Sequence, residues 1–132
     1  MGILQRLLGM SIVGNFVNKG PIFVPGSTVV GLTAHAGGTQ AAALLLTAQY
    51  NRIDTVATAA DSVKLPAPQF IGQEVEVMNN AAVNSMQVYG SGTDTINGVA
   101  TATGVAQAAG KFAMYKASSI GAAAAWHRIL SA

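Results

Sequence analysis

The sequence contains no cysteine and few charged or aromatic residues. The missing cysteine excludes disulfides, iron–sulfur clusters, cysteine-ligated zinc and cysteine nucleophiles. Charged residues make up 9% of the 132, against roughly 25% in ordinary globular proteins, so much of the surface is neutral. Hydrophobic residues make up 51%, which excludes a highly charged disordered chain. A small protein without disulfides needs another source of stability, and a weakly charged surface favours oligomerisation.

The sequence also lacks a basic cluster and a long apolar run. Its seven basic residues are scattered singly, whereas phosphate binding usually needs a cluster, so we predict no nucleic-acid partner. The apolar run over residues 7–17 is interrupted by Gly9, Ser11, Gly14 and Asn15. It is therefore far short of the ~20 apolar residues that a membrane span needs, and we predict no membrane partner.

Residues 1–27 differ in pattern from the rest of the chain and are interpreted as an N-terminal arm, extended or short-helical. Apolar residues recur there at helical spacing over two or three turns, and glycines and prolines follow. A helix that short is marginal alone in water, so its apolar side chains need a partner surface. Alternatively, Leu7, Leu8, Ile12 and Phe16 fold back onto the chain's own core. The residues predicted to contact the partner are Ile3, Leu4, Leu7, Leu8, Ile12 and Phe16.

Residues 28–132 show short alternating runs separated by turn residues, which predict an all-β domain. Residues 74–77 and 85–89 alternate clearly and are predicted to form an antiparallel hairpin, and Asn97-Gly98 indicates a type I′ turn. Seven to eight short strands at this spacing favour a small antiparallel β-sandwich or barrel. The predicted core consists of Leu65, Phe70, Val75, Val77, Val88, Phe112, Met114, Trp126 and Ile129.

No residue pattern predicts a catalytic or metal site. Residues 90–96 match most of the calcium-binding nonapeptide of β-rolls. One copy of this motif cannot complete a calcium site. We therefore interpret these residues as a glycine-rich turn in which the Asp94 side chain bonds its own backbone. His35 and His127 stand alone and are interpreted as structural or surface residues. Glu74 and Glu76 share one face of a strand and indicate the polar side of an edge strand. We therefore predict a non-enzymatic protein without cofactor or metal.

Four stretches together resemble small virion structural proteins of tailed bacteriophages. Those proteins share an order of features: a neutral strand, a Leu-Pro pair, a hairpin, the pattern G-x-D-x-I-N-G, an Ala-Gly-Lys tripeptide and a terminal Trp. These stretches are residues 31–42, 51–66, 92–100 and 125–127. The resemblance covers residues 31–132 and implies a β-rich domain that decorates the phage head or forms part of a tail or fibre. The expected function is a capsid decoration (cement) protein that binds the assembled major-capsid lattice as a trimer or dimer and stabilises the shell.

A different class of function remains open at this point. A tail-fibre or head-spike module would bind glycans on the host surface, and sugar sites usually present aromatic faces beside polar groups. The candidate aromatic side chains are Tyr50, Tyr89 and Tyr115, while Trp126 is expected inside the domain.

Overall fold

The computed structural model describes residue 24 and residues 26–132, and this part of the chain contains strands and turns but no helix. It therefore has no helix long and apolar enough to cross a membrane. The predicted all-β class is confirmed for this part, with ten strands rather than seven or eight. The strands are β1 (Thr28–Thr33), β2 (Leu44–Leu45), β3 (Tyr50–Thr55), β4 (Ser62–Lys64), β5 (Glu74–Asn79), β6 (Met86–Tyr89), β7 (Thr95–Ile96), β8 (Val105–Gln107), β9 (Phe112–Ala117) and β10 (Ala125–Leu130).

The predicted partner-contact residues of the arm (Ile3, Leu4, Leu7, Leu8, Ile12 and Phe16) lie outside the described residues. The first described strand, β1, begins at Thr28.

The strands form two mixed sheets. One has six strands in the order β1-β3-β5-β9-β10-β7, and the other has four in the order β2-β4-β6-β8. Up to β6 the chain alternates between the sheets, so Thr28 of β1 pairs with Tyr50 of β3, and Tyr50 pairs in turn with Glu76 of β5. All pairings among these first six strands are parallel. The chain therefore winds three times through both sheets, as in a short β-solenoid.

This winding corrects the prediction of an antiparallel sandwich or barrel. Antiparallel pairing joins β5 to β9, β9 to β10, and β6 to β8, while β10 pairs with β7 in parallel. The predicted hairpin of β5 and β6 is wrong, since β5 lies in the six-stranded sheet and β6 in the four-stranded one. One other prediction is confirmed: Asn97 and Gly98 both have the positive φ of a type I′ turn.

The core lies between the sheets, and strand periodicity decides which residues reach it. Buried residues alternate along β5 and β9, as expected for strands with one face on the core. Of the predicted core, five residues are confirmed as buried: Leu65, Val75, Val77, Val88 and Trp126.

Four members of the predicted core lie elsewhere. Along β9 the residues on the inner face are Ala113, Tyr115 and Ala117, so Phe112 and Met114 face outward and are half-buried. Ile129 is 69% exposed, because it is an odd number of residues from the buried Trp126 on the same strand. Phe70 lies in the turn before β5 and is 47% exposed.

A close approach at Gly104 brings β8 against β6. Gly104 has a φ of +65°, and a Cβ there would meet the carbonyl oxygen of Val88 at 2.7 Å and the ring of Tyr89 at 2.8 Å. Gly110 has a similar φ of +75°, but a Cβ there would meet nothing within 4 Å. A substitution at either glycine therefore strains the backbone, but only at Gly104 does the added Cβ also clash with neighbouring atoms.

We expect Gly104→Ala to destabilise the protein by about 1–3 kcal/mol more than Gly110→Ala, because only the first substitution pushes a methyl group into the backbone of β6. Urea unfolding of both variants measures the difference. Equal decreases in the free energy of unfolding of the two variants would show that β8 can move away from β6 without an energetic cost.

Candidate functional site

The glycine-rich turn that resembles a calcium motif is held by protein groups. The side-chain amide of Gln40 donates to the carbonyl oxygens of Gly90 and Gly92, both at 2.8 Å. The amide of Asp94 donates to the carbonyl of Ser91 at 2.8 Å and closes the turn. These two carbonyl oxygens, which a bound cation would use as ligands, therefore already accept hydrogen bonds from the protein. The interpretation as a turn is supported, but Asp94 accepts from a distant residue rather than from its own neighbours.

Asp94 is buried, and its carboxylate has one protein partner. Oδ1 accepts from the backbone amide of Ala124 at 2.9 Å, while Oδ2 has no hydrogen-bond partner among the described residues. Burial raises the pKa of Asp94, and the hydrogen bond from Ala124 opposes the rise only partly. The buried charge is therefore unfavourable to folding at neutral pH. The hydrogen bond between Ala124 and Asp94 fixes the β9–β10 loop against β7. In the described part of the chain, no second carboxylate lies beside Asp94 for acid–base chemistry.

The raised pKa predicts a pH-dependent effect of Asp94→Asn, which keeps the oxygen acceptor but never ionises. In the wild type, Asp94 lowers the free energy of unfolding as pH rises above about 3.9, the pKa of an aspartate in the unfolded chain. The variant should therefore melt at a higher temperature than wild type at pH 7. The advantage should vanish below about pH 3.9, where Asp94 is protonated. Thermal melts of both proteins at pH 3 and pH 7 test this.

Asp54→Asn is the matched control with the opposite sign. Hydrogen bonds from Arg52 and Asn80 lower the pKa of Asp54, so its contribution to stability is present at pH 7 and is lost as pH falls. This variant should melt lower than wild type at pH 7 and approach it at pH 3. A pH-independent advantage of Asp94→Asn would contradict the account of Asp94.

The other residues considered for chemistry lie apart from one another. His35 is exposed in a loop and exchanges two backbone hydrogen bonds with Ser62, while His127 is exposed on β10. Glu74 and Glu76 lie on the outward face of β5, as predicted, but β5 is an interior strand of its sheet and not an edge. Residue 24 and residues 26–132 contain no group of three or more His, Asp or Glu that could hold a metal ion.

The tyrosines considered for glycan binding are mostly inside the protein. Tyr115 is fully buried and donates to Oε1 of Gln107 at 2.8 Å, and burial raises its pKa well above the ordinary value. Tyr89 is also buried, and its hydroxyl donates to the carbonyl of Gly38. Tyr50 alone of these three is partly accessible, on the outer face of β3. Trp126 is buried, as expected.

The outer face of the six-stranded sheet is the broadest surface built by regular structure. We call it the outer face, and three rows of side chains cross it. The first row runs through Tyr50, Glu76, Met114 and Ile129 on four successive strands. The second row consists of Arg52, Met78 and Phe112, and the third of Glu74, Lys116 and His127.

The rows combine apolar side chains with charges of both signs. Arg52 pairs with Asp54 at 2.7 Å, and Lys116 pairs with Glu74 at 3.2 Å. The carboxylate of Glu76 lies between Tyr50 and Met114 and takes part in neither of these two ion pairs. Exposed apolar side chains beside partly exposed charges are typical of a protein-contact surface, because the apolar area supplies free energy and the charges select the partner.

This surface was not predicted from the sequence, although a signal was present. Phe112, Met114 and Ile129 were predicted to lie in the core because they are apolar. The alternative set on β9, namely Ala113, Tyr115 and Ala117, is small or polar in character and looks less like a core face. Ile129 is three residues from Trp126 on the same strand, and alternation along a strand therefore places Ile129 on the face opposite to Trp126.

Comparison of the chain with known protein families, with curated proteins and with solved structures gave no match.

Proposed function

We propose that this chain is a non-enzymatic structural protein of the virion of a tailed bacteriophage, which binds the assembled major-capsid lattice on the head and stabilises it. The observation that carries the proposal is the outer face, where apolar side chains from four neighbouring strands lie among charges of both signs. The resemblance of residues 31–132 to small phage virion proteins supports the same conclusion.

Stabilisation follows from binding only the assembled shell. A ligand that binds one state and not another shifts the equilibrium toward the bound state, so a protein that recognises the junctions of assembled subunits opposes their separation. Each contact can be weak. When the bound copies form a trimer or dimer, their contacts act together and the overall affinity rises by orders of magnitude.

The arm is proposed to extend this contact. Ile3, Leu4, Leu7 and Leu8, with Ile12 and Phe16, would bind the capsid protein or a neighbouring copy. The outer face supplies a rigid platform, whereas the arm would supply additional apolar area.

Co-sedimentation with capsid shells that lack the protein tests the function. We expect saturable binding to mature shells at a fixed ratio to the major capsid protein, and weaker or no binding to immature shells, whose subunit junctions differ. The ratio identifies the lattice position that is occupied. Absence of binding to both shells would contradict the proposal and favour a tail or fibre location.

Substitution on the outer face should weaken shell binding without unfolding the protein. Ile129→Asp places a charge at the exposed end of the first row, and we expect at least about a tenfold loss of affinity, because a buried unpaired charge at an interface costs more than 1.4 kcal/mol. Val83→Asp is the control, since Val83 is 80% exposed and lies in the loop after β5. Equal binding of both variants would exclude the outer face.

Deletion of residues 1–20 should abolish shell binding and leave the thermal unfolding of the β domain cooperative. The apolar stripe of the arm is lost in this variant, while residues 28–132 are intact. Retention of full affinity by a folded deletion variant would remove the arm from the proposed contact. Circular dichroism melts establish folding, and co-sedimentation measures binding.

A further inference from the structure

Strand β1 is the one long open edge among the described strands. It has six residues and pairs only with β3 in this part of the chain, whereas the other sheet edges, β7, β2 and β8, have two or three residues each. An open edge presents unpaired backbone groups to another strand, and proteins usually protect such edges with charges, prolines or short length. The sequence of β1, Thr-Val-Val-Gly-Leu-Thr, has no charge and no proline.

A bulge gives β1 a burial pattern that reads the same in both directions. Val29 pairs with Asn51 of β3 and Leu32 pairs with Ile53, so β1 has one residue more than β3 over this stretch. The extra residue lies beside Gly31, which has a φ of +76°. Asn51 and Ile53 are both buried, and paired residues of neighbouring strands share a face. Val29 and Leu32 are therefore both on the inner face, where they are half-buried, while the other four residues of β1 are exposed.

This symmetry fits a second copy of the same strand. In an antiparallel pair, residues directly opposite each other point to the same face. When a two-fold axis passes between residues 30 and 31, each half-buried residue of one copy meets the half-buried residue of the other, and exposed residues meet exposed ones. The opposed pairs are Val29 with Leu32, Thr28 with Thr33, and Val30 with Gly31. Apolar side chains thus meet on the inner face, and Val30 meets a residue without a side chain.

Charge does not oppose this contact. Residue 24 and residues 26–34 contain no charged side chain. The two charged residues of the neighbouring strand β3, Arg52 and Asp54, pair with each other at 2.7 Å. Two copies can therefore meet at β1 without bringing unpaired like charges together, which is the repulsion that usually prevents wrong contacts.

We propose that two copies of this chain form a dimer in which their β1 strands pair antiparallel across a two-fold axis, so that the two six-stranded sheets join edge to edge. Such an axis is perpendicular to the joined sheet and leaves both outer faces on the same side. In the proposed function, both outer faces can then bind one shell, which raises the overall affinity. The dimer itself does not depend on the proposed function, because it forms without a shell.

Sedimentation of the full-length protein at several concentrations, without shells, tests the dimer. One pair of six-residue strands is a small contact, so we expect a weak dimer that dissociates on dilution. Val30 is 50% exposed, and Val30→Lys or Val30→Asp places like charges beside each other across the axis. Each variant should raise the dissociation constant of the dimer by at least about tenfold. An equimolar mixture of the two variants should restore the dimer, because opposite charges then lie side by side.

The matched control is Val83→Lys, which adds the same charge at a residue that is 80% exposed in the loop after β5 and should leave the dimer unchanged. Circular dichroism melts establish that each variant is folded. A wild type that stays monomeric at every concentration would overturn the proposal, and so would a trimer, which a two-fold contact cannot produce. Dimerisation of Val30→Lys equal to that of wild type, loss of the dimer in Val83→Lys, or a mixture that stays monomeric would overturn it as well.

Discussion

The two sheets depend on one buried hydrogen-bond network centred on Gln107. Its amide donates to the carbonyls of Val77 and Lys111, both at 2.9 Å, and its side-chain oxygen accepts from Tyr115. Asn79 extends the network by donating to the Gln107 carbonyl at 2.9 Å. Gln107 lies in the four-stranded sheet, and its partners include residues of β5 and β9 in the six-stranded sheet. Because an unpaired buried amide or hydroxyl is costly, the network fixes how the sheets meet.

This junction lies where the winding ends and the antiparallel strands begin. Beyond the winding strands, β9 pairs with β5, β10 with β9 and β7 with β10, so the sheet widens from three strands to six. The widening produces the outer face, because β9 and β10 add Met114 and Ile129 to the row that begins at Tyr50. The surface on which the proposed function depends therefore includes the two strands that follow this junction.

The sequence was sufficient for local features and insufficient for the winding. The burial of Val75 and Val77 and the Asn97-Gly98 turn were predictable, because alternation and turn chemistry are local signals. The separation of β5 and β6 into different sheets was not, since a strand pattern does not say which strand is its partner. Nor did composition reveal the outer face: hydrophobicity alone assigned Ile129 to the core, whereas its spacing of three residues from the buried Trp126 on β10 places it outside.

Oxidative footprinting of the shell-bound protein tests the central claim that the outer face is the contact surface. Methionine is readily oxidised where solvent reaches it. Met78 and Met114 are half-buried on the outer face, while the fully buried Met86 serves as an internal reference. On saturated mature shells, oxidation of Met78 and Met114 should fall several-fold relative to the free protein, with Met86 low in both. Oxidation of Met78 and Met114 at the free rate in demonstrably bound protein would contradict the account.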